Sequence, residues 1–311
     1  MADSKEQIAD SKQRKAYSKG QIANRGALEP YLYLMPVIIG VVLVTGGAII
    51  GSFGLGFTEW DLLGPPVWIG LKNFTAMFSS PLFWQVLGNT FTYVLLFVPL
   101  SVALSLSLAM LVNRKLRGIT LFRTFFFFPV VTSMVAVATV WSWLYNPEFG
   151  MINYLLRHLF GVDGPQWLLD SNWAMPAIAL MSIWKGIGYN MMIFLAGLQS
   201  VPRGLHEAAL IDGASNSRRF FSITLPMLSP TTFFVLVITL IGSFQIFEQT
   251  YMMTQGGPAN STLTLGYFIY QNAFQYFRMG YATAMAYVLF AVTLVVTIMQ
   301  FRLQRRWVYY G

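Results

Sequence analysis

The chain reads SVPRGLHEAALIDGASNSRRFFSITLPMLSP at residues 200–230, a polar and charged stretch between two long apolar runs. Pro202 suits the first turn of a helix, because its ring fixes φ and its missing N–H would have no partner there. Gly213 can adopt the left-handed backbone conformation that ends a helix. The stretch therefore predicts a short helix over 203–212 and a second one over 214–222.

The first of these helices is expected to present a surface to another protein. Spacings of three and four residues put Leu205, Ala208, Ala209 and Asp212 on one face. The small alanine side chains would let a second protein approach closely. Pro226 and Pro230 then lead the chain into the next apolar run.

The composition is that of a membrane protein. The chain has 311 residues, of which 56% are hydrophobic and only 10% are charged, whereas a soluble domain carries about 25% charged residues. The formal net charge is +8, but the charges lie between apolar runs, which indicates topology rather than nucleic-acid binding. The absence of cysteine excludes disulfides, thiol catalysis and iron–sulfur ligation. His158 and His206 lie apart from any ligand cluster, so no metal site is expected.

Six apolar segments are each about long enough to cross the core of a bilayer. The first is longer than the apolar part of a signal peptide, so we expect a retained span. The sequence predicts an all-α integral membrane fold with six transmembrane helices, in which 1–28 is a polar cytoplasmic tail and 29–311 is the membrane domain. The six spans are expected at 31–50, 87–112, 124–145, 174–198, 231–253 and 281–301.

The basic residues predict which side each connection faces. Most of the 20 lysines and arginines lie in one set of alternate connections, which includes both terminal segments and 200–230. The opposite set holds only Lys72, Arg157 and Arg278. Cytoplasmic connections carry the positive excess. Both termini and 200–230 are therefore expected in the cytoplasm.

A specific motif lies within 200–230, where Glu207-Ala208-Ala209 is followed by Gly213 and by Ile223-x-Leu225-Pro226. It resembles the EAA motif of the membrane subunits of binding-protein-dependent ABC importers, and the variant looks most like their carbohydrate-uptake branch. The resemblance implies that the helix at 203–212 is a cytoplasmic coupling helix, between the fourth and fifth spans, that docks onto a separate ATPase. The residues that it implies for this contact are Glu207, Ala208, Ala209, Asp212 and Gly213.

The same resemblance implies a set of partners and a location. They are a second homologous permease, two ATPase subunits, an external solute-binding protein and the lipid of a bacterial plasma (inner) membrane. The chain contains no G-x-x-x-x-G-K-[ST] sequence and no Gly-Lys dipeptide, so it lacks a P-loop. ATP and Mg²⁺ are therefore expected on the partner ATPase, and this chain is expected to have neither a cofactor nor an enzymatic activity of its own.

Polar residues inside the spans are candidates for the solute path, because a charge at the middle of a membrane costs at least about 2.5 kcal/mol. Sugars present hydroxyls and apolar ring faces, which suit amides and hydroxyls beside aromatic rings. The spans that flank the motif supply these groups. The path candidates are Ser182, Lys185, Tyr189 and Asn190 in the fourth span and Ser243, Phe244, Gln245, Phe247 and Glu248 in the fifth, with Trp184 and Gln249 beside them.

Other roles remain open on the sequence alone. Ser182, Tyr189 and Ser243 could bond only to helices, and Lys185 could pair with another subunit. A rise of about 1.5 Å per residue puts Glu248 about 12 Å nearer the outer edge than Lys185, which favours separate roles for the two charges. Lys185 also suggests an alternative cargo, an acidic or phosphorylated solute such as glycerol phosphate. The alternatives of a different class are a secondary transporter and a membrane scaffold.

Overall fold

A computed structural model describes residues 29–114 and 117–309. The chain divides into two units, Met1–Gly54 and Leu55–Gly311. The polar tail expected at 1–28 lies outside the described residues. In chain order the elements are α1 Glu29–Gly40, α2 Gly47–Leu55, β1 Thr58–Glu59, β2 Val67–Trp68, α3 Lys72–Phe78, α4 Pro81–Val112, α5 Ile119–Val131, α6 Met134–Leu144, α7 Met151–Phe160, α8 Ala174–Ser200, α9 Arg203–Ile211, α10 Asn216–Arg219, α11 Leu225–Met227, α12 Ser229–Phe244, α13 Glu248–Met253, α14 Leu265–Tyr270 and α15 Met279–Gln304.

The first apolar run forms one long helix. A π-helical turn, Val41–Gly46, joins α1 to α2, so that Tyr31–Leu55 is a continuous helix of 25 residues. At about 1.5 Å per residue this length exceeds a bilayer core of about 30 Å. The segment predicted at 31–50 is therefore helical and extends further.

The second unit is built on two long helices, α4 and α8, which pack along each other. Both are apolar and long enough to cross a bilayer. The Ser105 hydroxyl on α4 donates a hydrogen bond to the carbonyl oxygen of Ile187 on α8 at 3.1 Å. The segments predicted at 87–112 and 174–198 are helical, although α4 begins earlier, at Pro81, which suits a first helical turn.

Helix α8 also meets α5 with almost no side chain between the two backbones. A Cβ atom at Gly188 would lie 2.1 Å from the carbonyl oxygen of Phe126. At Gly186 the nearest atom to such a Cβ is Cζ of Phe97, at 4.0 Å. The α5 backbone therefore requires glycine at position 188, whereas position 186 has room for a side chain.

The third predicted span, 124–145, consists of two helices. Helices α5 and α6 meet at 101°, and Thr132 and Ser133 between them are extended. Pro129, in the last turn of α5, has no N–H to donate. Both the backbone N–H and the hydroxyl of Thr132 bond to the carbonyl oxygen of Pro129. The predicted segment is therefore helical on both sides of a break, because these local bonds close α5 before Ser133.

The fifth predicted span, 231–253, is interrupted as well. Helix α12 ends at Phe244, and α13 begins at Glu248. The carbonyl oxygen of Ile246, between them, accepts a hydrogen bond from the Thr264 hydroxyl at 3.2 Å. A Cβ atom at Gly266 would lie 2.6 Å from that same oxygen. The predicted segment is therefore helical on both sides of residues 245–247, and Thr264 and Gly266 at the start of α14 contact the backbone at this break.

The number of membrane spans depends on how these breaks are counted. Within the described residues, four helices are long and apolar enough to cross a membrane, and there are six if each bent pair counts as one span. The second bent pair joins α10–α11 to α12 at 64°. The all-α class is confirmed, while the number six and the span boundaries remain predictions.

A small hairpin fixes the start of α15. Strands β1 and β2 are antiparallel, with Thr58 opposite Trp68. The N–H of Met279 donates to the carbonyl oxygen of Trp60 at 2.9 Å, and a Cβ atom at Gly280 would lie 1.9 Å from the carbonyl oxygen of Thr58. The last long helix, which contains the predicted span 281–301, therefore begins directly against the hairpin backbone.

Candidate functional site

A polar cavity of about 320 Å³ lies between α4, the α5–α6 break, α8, α12 and α13. Five of the nine predicted path residues line it, namely Ser182, Lys185, Tyr189, Asn190 and Ser243. Residues that the sequence reasoning missed also line it, including Tyr93, Phe97 and Thr239. Their signal in the sequence is weak, because single tyrosine and threonine residues are common in apolar helices.

Lys185 reaches the end of another helix. Its ammonium donates a hydrogen bond to the carbonyl oxygen of Val130 at 3.4 Å. Helix α5 ends one residue later, so this carbonyl has no partner within its own helix. A cation is also stabilised at a helix C-terminus by the helix dipole. An ammonium has three donors, so two remain for other groups in the cavity.

Asn190 joins three helices. Its amide nitrogen donates to the hydroxyl of Ser101 on α4 at 3.4 Å and to the hydroxyl of Thr239 on α12 at 3.1 Å. All three residues are buried. Asn190 thus uses both amide hydrogens to hold the cavity walls together, and its amide oxygen remains as an acceptor.

The two serines in the cavity bond to their own helices. The Ser182 hydroxyl donates to the carbonyl oxygen of Ile178 at 2.8 Å, and the Ser243 hydroxyl donates to that of Leu240 at 2.7 Å. The alternative that these two serines bond only to helices therefore holds for their hydroxyl protons. Each hydroxyl oxygen can still accept a hydrogen bond. Tyr189 is exposed, and its hydroxyl has no hydrogen-bond partner among the described residues.

The other four predicted residues lie outside this cavity. Phe244 is 1% exposed and packs edge-on against Phe91, with ring centroids 5.4 Å apart. Phe247 stacks on Tyr251 at 5.6 Å, within an aromatic cluster. Gln245 and Glu248 are exposed on the break and at the start of α13. The interruption after Phe244 changes which faces point inward, so Gln249 joins the cavity instead.

The depth estimate for Lys185 and Glu248 assumed a straight fifth helix, so the break invalidates it. Helix α13 contacts α6 and α8, so Glu248, its first residue, begins a helix that packs beside the helix of Lys185. No salt bridge between the two side chains occurs within the part of the chain that the structure describes.

A second predicted feature, the surface of α9, forms largely as expected. Helix α9 covers Arg203–Ile211, and Gly213 has φ +71°. The N–H of Gly213 donates to Leu210, and the N–H of Ala214 donates to Ala209. Pro202 immediately precedes the helix with an extended ψ of 127°, so the helix begins at Arg203, as predicted.

The motif side chains on α9 are available to another molecule. Glu207, Ala208 and Asp212 are exposed and Ala209 is half-buried, while no residue of this described helix is buried. The second predicted helix, 214–222, appears as α10 followed by a π-helical turn, Phe220–Thr224. The Ser215 hydroxyl caps α10 by accepting from the N–H of Arg218 at 3.3 Å. The connection 200–230 therefore presents the short helix α9 beside a second helical segment, formed by α10 and the π-helical turn.

Comparison with known proteins agrees with these features. The family model described as binding-protein-dependent transport system inner membrane component matches residues 101–309. The probable ABC transporter permease protein YesP of Bacillus subtilis (strain 168) is 39% identical over 300 residues, which cover 95% of this chain and 96% of that protein.

Two further relatives have names that state a solute. The sulfoquinovosyl glycerol transport system permease protein SmoG of Agrobacterium fabrum (strain C58 / ATCC 33970) is 39% identical over 241 residues, 78% of each chain. The sn-glycerol-3-phosphate transport system permease protein UgpA of Brucella abortus biovar 1 (strain 9-941) is 35% identical over 286 residues, which cover 91% of this chain and 96% of that one.

The fold is similar to a solved importer. The crystal structure of a bacterial alginate ABC transporter, in complex with an alginate pentasaccharide-bound periplasmic protein, contains a chain that matches with a TM-score of 0.79. The two chains are 26% identical, and the match covers 92% of this chain and 96% of that chain.

Proposed function

Because the chain belongs to the family of binding-protein-dependent transport system inner membrane components, we propose that its polar cavity forms part of the path of a sugar or oligosaccharide through the membrane. The chain is a membrane permease subunit of an ABC importer. Family membership therefore favours the importer over the secondary transporter and the membrane scaffold. The proposal goes beyond family membership in three respects: the residues that line the path, the cargo and the other subunits of the complex.

The convergence of polar groups from separate helices carries the proposal for the path. Lys185 and Asn190 on α8, Ser243 on α12 and Gln249 on α13 line one space of about 320 Å³. Small-molecule sites usually have volumes of about 300–1,000 Å³. Polar groups within a membrane domain usually face a protein interior or a water-filled cavity. A hydrated solute suits such a space.

The chemistry of the lining favours a sugar. Phe97 and Tyr189 supply aromatic surface for the apolar face of a sugar ring. The Asn190 amide oxygen accepts hydrogen bonds, and the Lys185 ammonium donates them, as the hydroxyls of a sugar require. The names of SmoG and of the alginate transporter provide independent support, since both refer to carbohydrate-containing solutes.

A phosphorylated solute is the second candidate. The two ammonium donors of Lys185 not used by Val130 would suit a phosphate oxygen. The name of UgpA supports this candidate, since it refers to sn-glycerol-3-phosphate. The two cargoes place different demands on residue 185. A phosphate group requires the positive charge of the lysine, whereas a sugar hydroxyl requires only a hydrogen-bond donor.

Uptake by a reconstituted complex separates these cargoes. The complex would contain this chain, its second permease, the ATPase and the solute-binding protein, with radiolabelled sugars and glycerol 3-phosphate offered in turn. Lys185→Gln keeps a donor and removes the charge. We expect it to retain most sugar uptake, whereas uptake of a phosphorylated cargo would be lost. Uptake unchanged by both Lys185→Gln and Gln249→Leu would exclude this cavity from the path.

The class of transporter is tested in the same preparation. An importer stops when ATP is removed, whereas uptake that persists on an ion gradient alone would identify a secondary transporter. A complete complex that hydrolyses ATP without accumulating any offered solute would favour a scaffold.

We also propose that α9 docks onto a separate ATPase subunit. The exposure of Glu207, Ala208 and Asp212 supports this, as does the EAA pattern itself. The missing P-loop supports hydrolysis of Mg²⁺-bound ATP on that partner rather than on this chain. A second homologous permease completes the proposed assembly. The alginate complex supports a periplasmic solute-binding partner, and the distribution of basic residues supports cytoplasmic termini.

A further inference from the structure

A larger cavity, of about 870 Å³, lies where α4 and α8 end and where α5 and α9 begin. It shares no described lining residue with the 320 Å³ cavity of the proposed path. Its walls include the first turn of α9 and the π-helical turn after α10. A molecule bound there would touch the connection 200–230 and the helices α4, α5 and α8 at once.

The charge of this cavity has one sign. Arg114, Arg123 and Arg203 line it together with His206, and none of its described lining residues is acidic. The three arginines come from separate parts of the chain: the α4–α5 connection, α5 and α9. Like charges that converge on one space repel each other unless an anion lies between them.

Arg123 is fixed by one hydrogen bond, and another of its N–H donors has no partner among the described residues. One of its terminal nitrogens, Nη2, donates to the carbonyl oxygen of Val112, the last residue of α4, at 2.8 Å. Its Nε is buried and has no hydrogen-bond partner among the described residues. A buried donor without a partner is costly, and a guanidinium fork matches the oxygens of a phosphate.

The cavity is also partly apolar. Met110, Ile119, Leu198 and Phe220 line it beside the arginines. Several apolar side chains next to the lining residues in the chain are exposed: Leu111 is 54%, Phe122 57% and Phe221 65% exposed. A ligand with an anionic head and an apolar body suits this combination better than a free inorganic anion does.

We propose that this cavity binds a phosphate-bearing anion through Arg123 and Arg203, and that the source of the phosphate is an anionic phospholipid of the surrounding membrane. Basic pockets between membrane helices bind such headgroups. The headgroup would link the start of α9 to the end of α4 and the start of α5. Binding depends neither on the identity of the cargo nor on the proposed sugar path, so the proposal goes beyond that function.

Native mass spectrometry of the full-length protein tests the proposal with two lipids of identical acyl chains, dioleoyl phosphatidylglycerol and dioleoyl phosphatidylcholine. We expect the wild-type protein to bind phosphatidylglycerol more tightly. Arg203→Gln, an exposed position, should weaken that binding roughly fivefold, and Arg123→Gln roughly tenfold. The matched control is Arg302→Gln with Arg305→Gln, which removes two positive charges outside the cavity and should cost less than about twofold. Thermal unfolding in phosphatidylcholine verifies that each variant is folded.

A second arm separates the possible sources of the phosphate. Inorganic phosphate is added to delipidated protein, and thermal unfolding is followed. In one outcome, inorganic phosphate stabilises the wild-type protein but not Arg203→Gln, while native mass spectrometry shows no preference for phosphatidylglycerol. That result would support the phosphate site but would show that its phosphate comes from a soluble molecule rather than from a lipid. Equal binding of phosphatidylglycerol by the wild type and the Arg123→Gln/Arg203→Gln double variant, with no effect of phosphate, would overturn the proposal. Loss of ATPase association alone in the double variant would overturn it too, since an acidic protein group would then occupy the cavity.

Discussion

The ammonium of Lys185 donates a hydrogen bond to the carbonyl oxygen of Val130 at 3.4 Å, which ties α8 to the break between α5 and α6. The same side chain lines the polar cavity. The cation satisfies the open end of α5, and on the proposed path its two other donors would serve a solute.

Lys185→Met should impair transport more than it impairs assembly. Loss of a charged hydrogen bond to the solute is worth about 1.5–3 kcal/mol, so uptake should fall by at least about tenfold. Lys72→Met, at the exposed start of α3, is the matched control and should transport normally. Assembly is measured by copurification of the partner subunits. Because no salt bridge joins Lys185 to Glu248 within the described residues, adding Glu248→Met should rescue nothing. Restored assembly in the double variant would instead mean that the two side chains form a structural pair.

Gly188→Ala should destabilise the fold strongly. The new Cβ would lie 2.1 Å from the carbonyl oxygen of Phe126, and overpacking of this kind costs about 1–3 kcal/mol. Gly186→Ala is the control on the same helix, because its Cβ would find the nearest atom at 4.0 Å. Thermal unfolding in detergent measures both variants, and equal midpoints would show that α5 and α8 are not in backbone contact.

Gly213→Val should weaken the docking of α9 on the ATPase. The backbone there has φ +71°, and a Cβ atom added at this position would have no described neighbour within 4 Å, so the effect is conformational rather than steric. A left-handed conformation costs an L-residue about 1–2 kcal/mol, and β-branched residues resist it most. Gly213→Asn is the control, because asparagine tolerates this conformation. Solute-stimulated ATP hydrolysis should fall for valine and persist for asparagine; identical activities would remove Gly213 from the coupling surface.

The proposed orientation is tested by single cysteines, since the chain has none of its own. Asp163→Cys and Asn216→Cys both change exposed positions. With an impermeant maleimide added to intact cells, we expect labelling at 163 and none at 216 until the membrane is opened. Labelling of both residues in sealed cells would contradict the assignment of 200–230 to the cytoplasm.

The sequence predicted the features that rest on neighbouring residues. The length and apolar character of 174–198 sufficed for α8, and the glycine at 213 sufficed for the end of α9. The first break is partly visible as Pro129, but the helix ends only at Val131, where the Thr132 hydroxyl bonds back to the Pro129 carbonyl oxygen.

The break after Phe244 could not be predicted from local sequence. It depends on Thr264, eighteen residues away, whose hydroxyl bonds to the carbonyl oxygen of Ile246, and on the room left at Gly266. The same break affected the site prediction. The candidates up to Ser243 line the cavity, whereas Gln245, Phe247 and Glu248 follow the break and do not.

The close approach at Gly188 has a mechanical consequence. Two helices whose backbones touch cannot slide along each other, because a shift of one residue would bring Ile187 or Tyr189 against Phe126. Helices α5 and α8 therefore form one stiff panel of the cavity wall. The break between α12 and α13 is held in a similar way, because the carbonyl oxygen of Ile246 bonds to the Thr264 hydroxyl and lies against Gly266. If the cavity widens, α5 and α8 are therefore expected to move as one unit rather than to slide past each other.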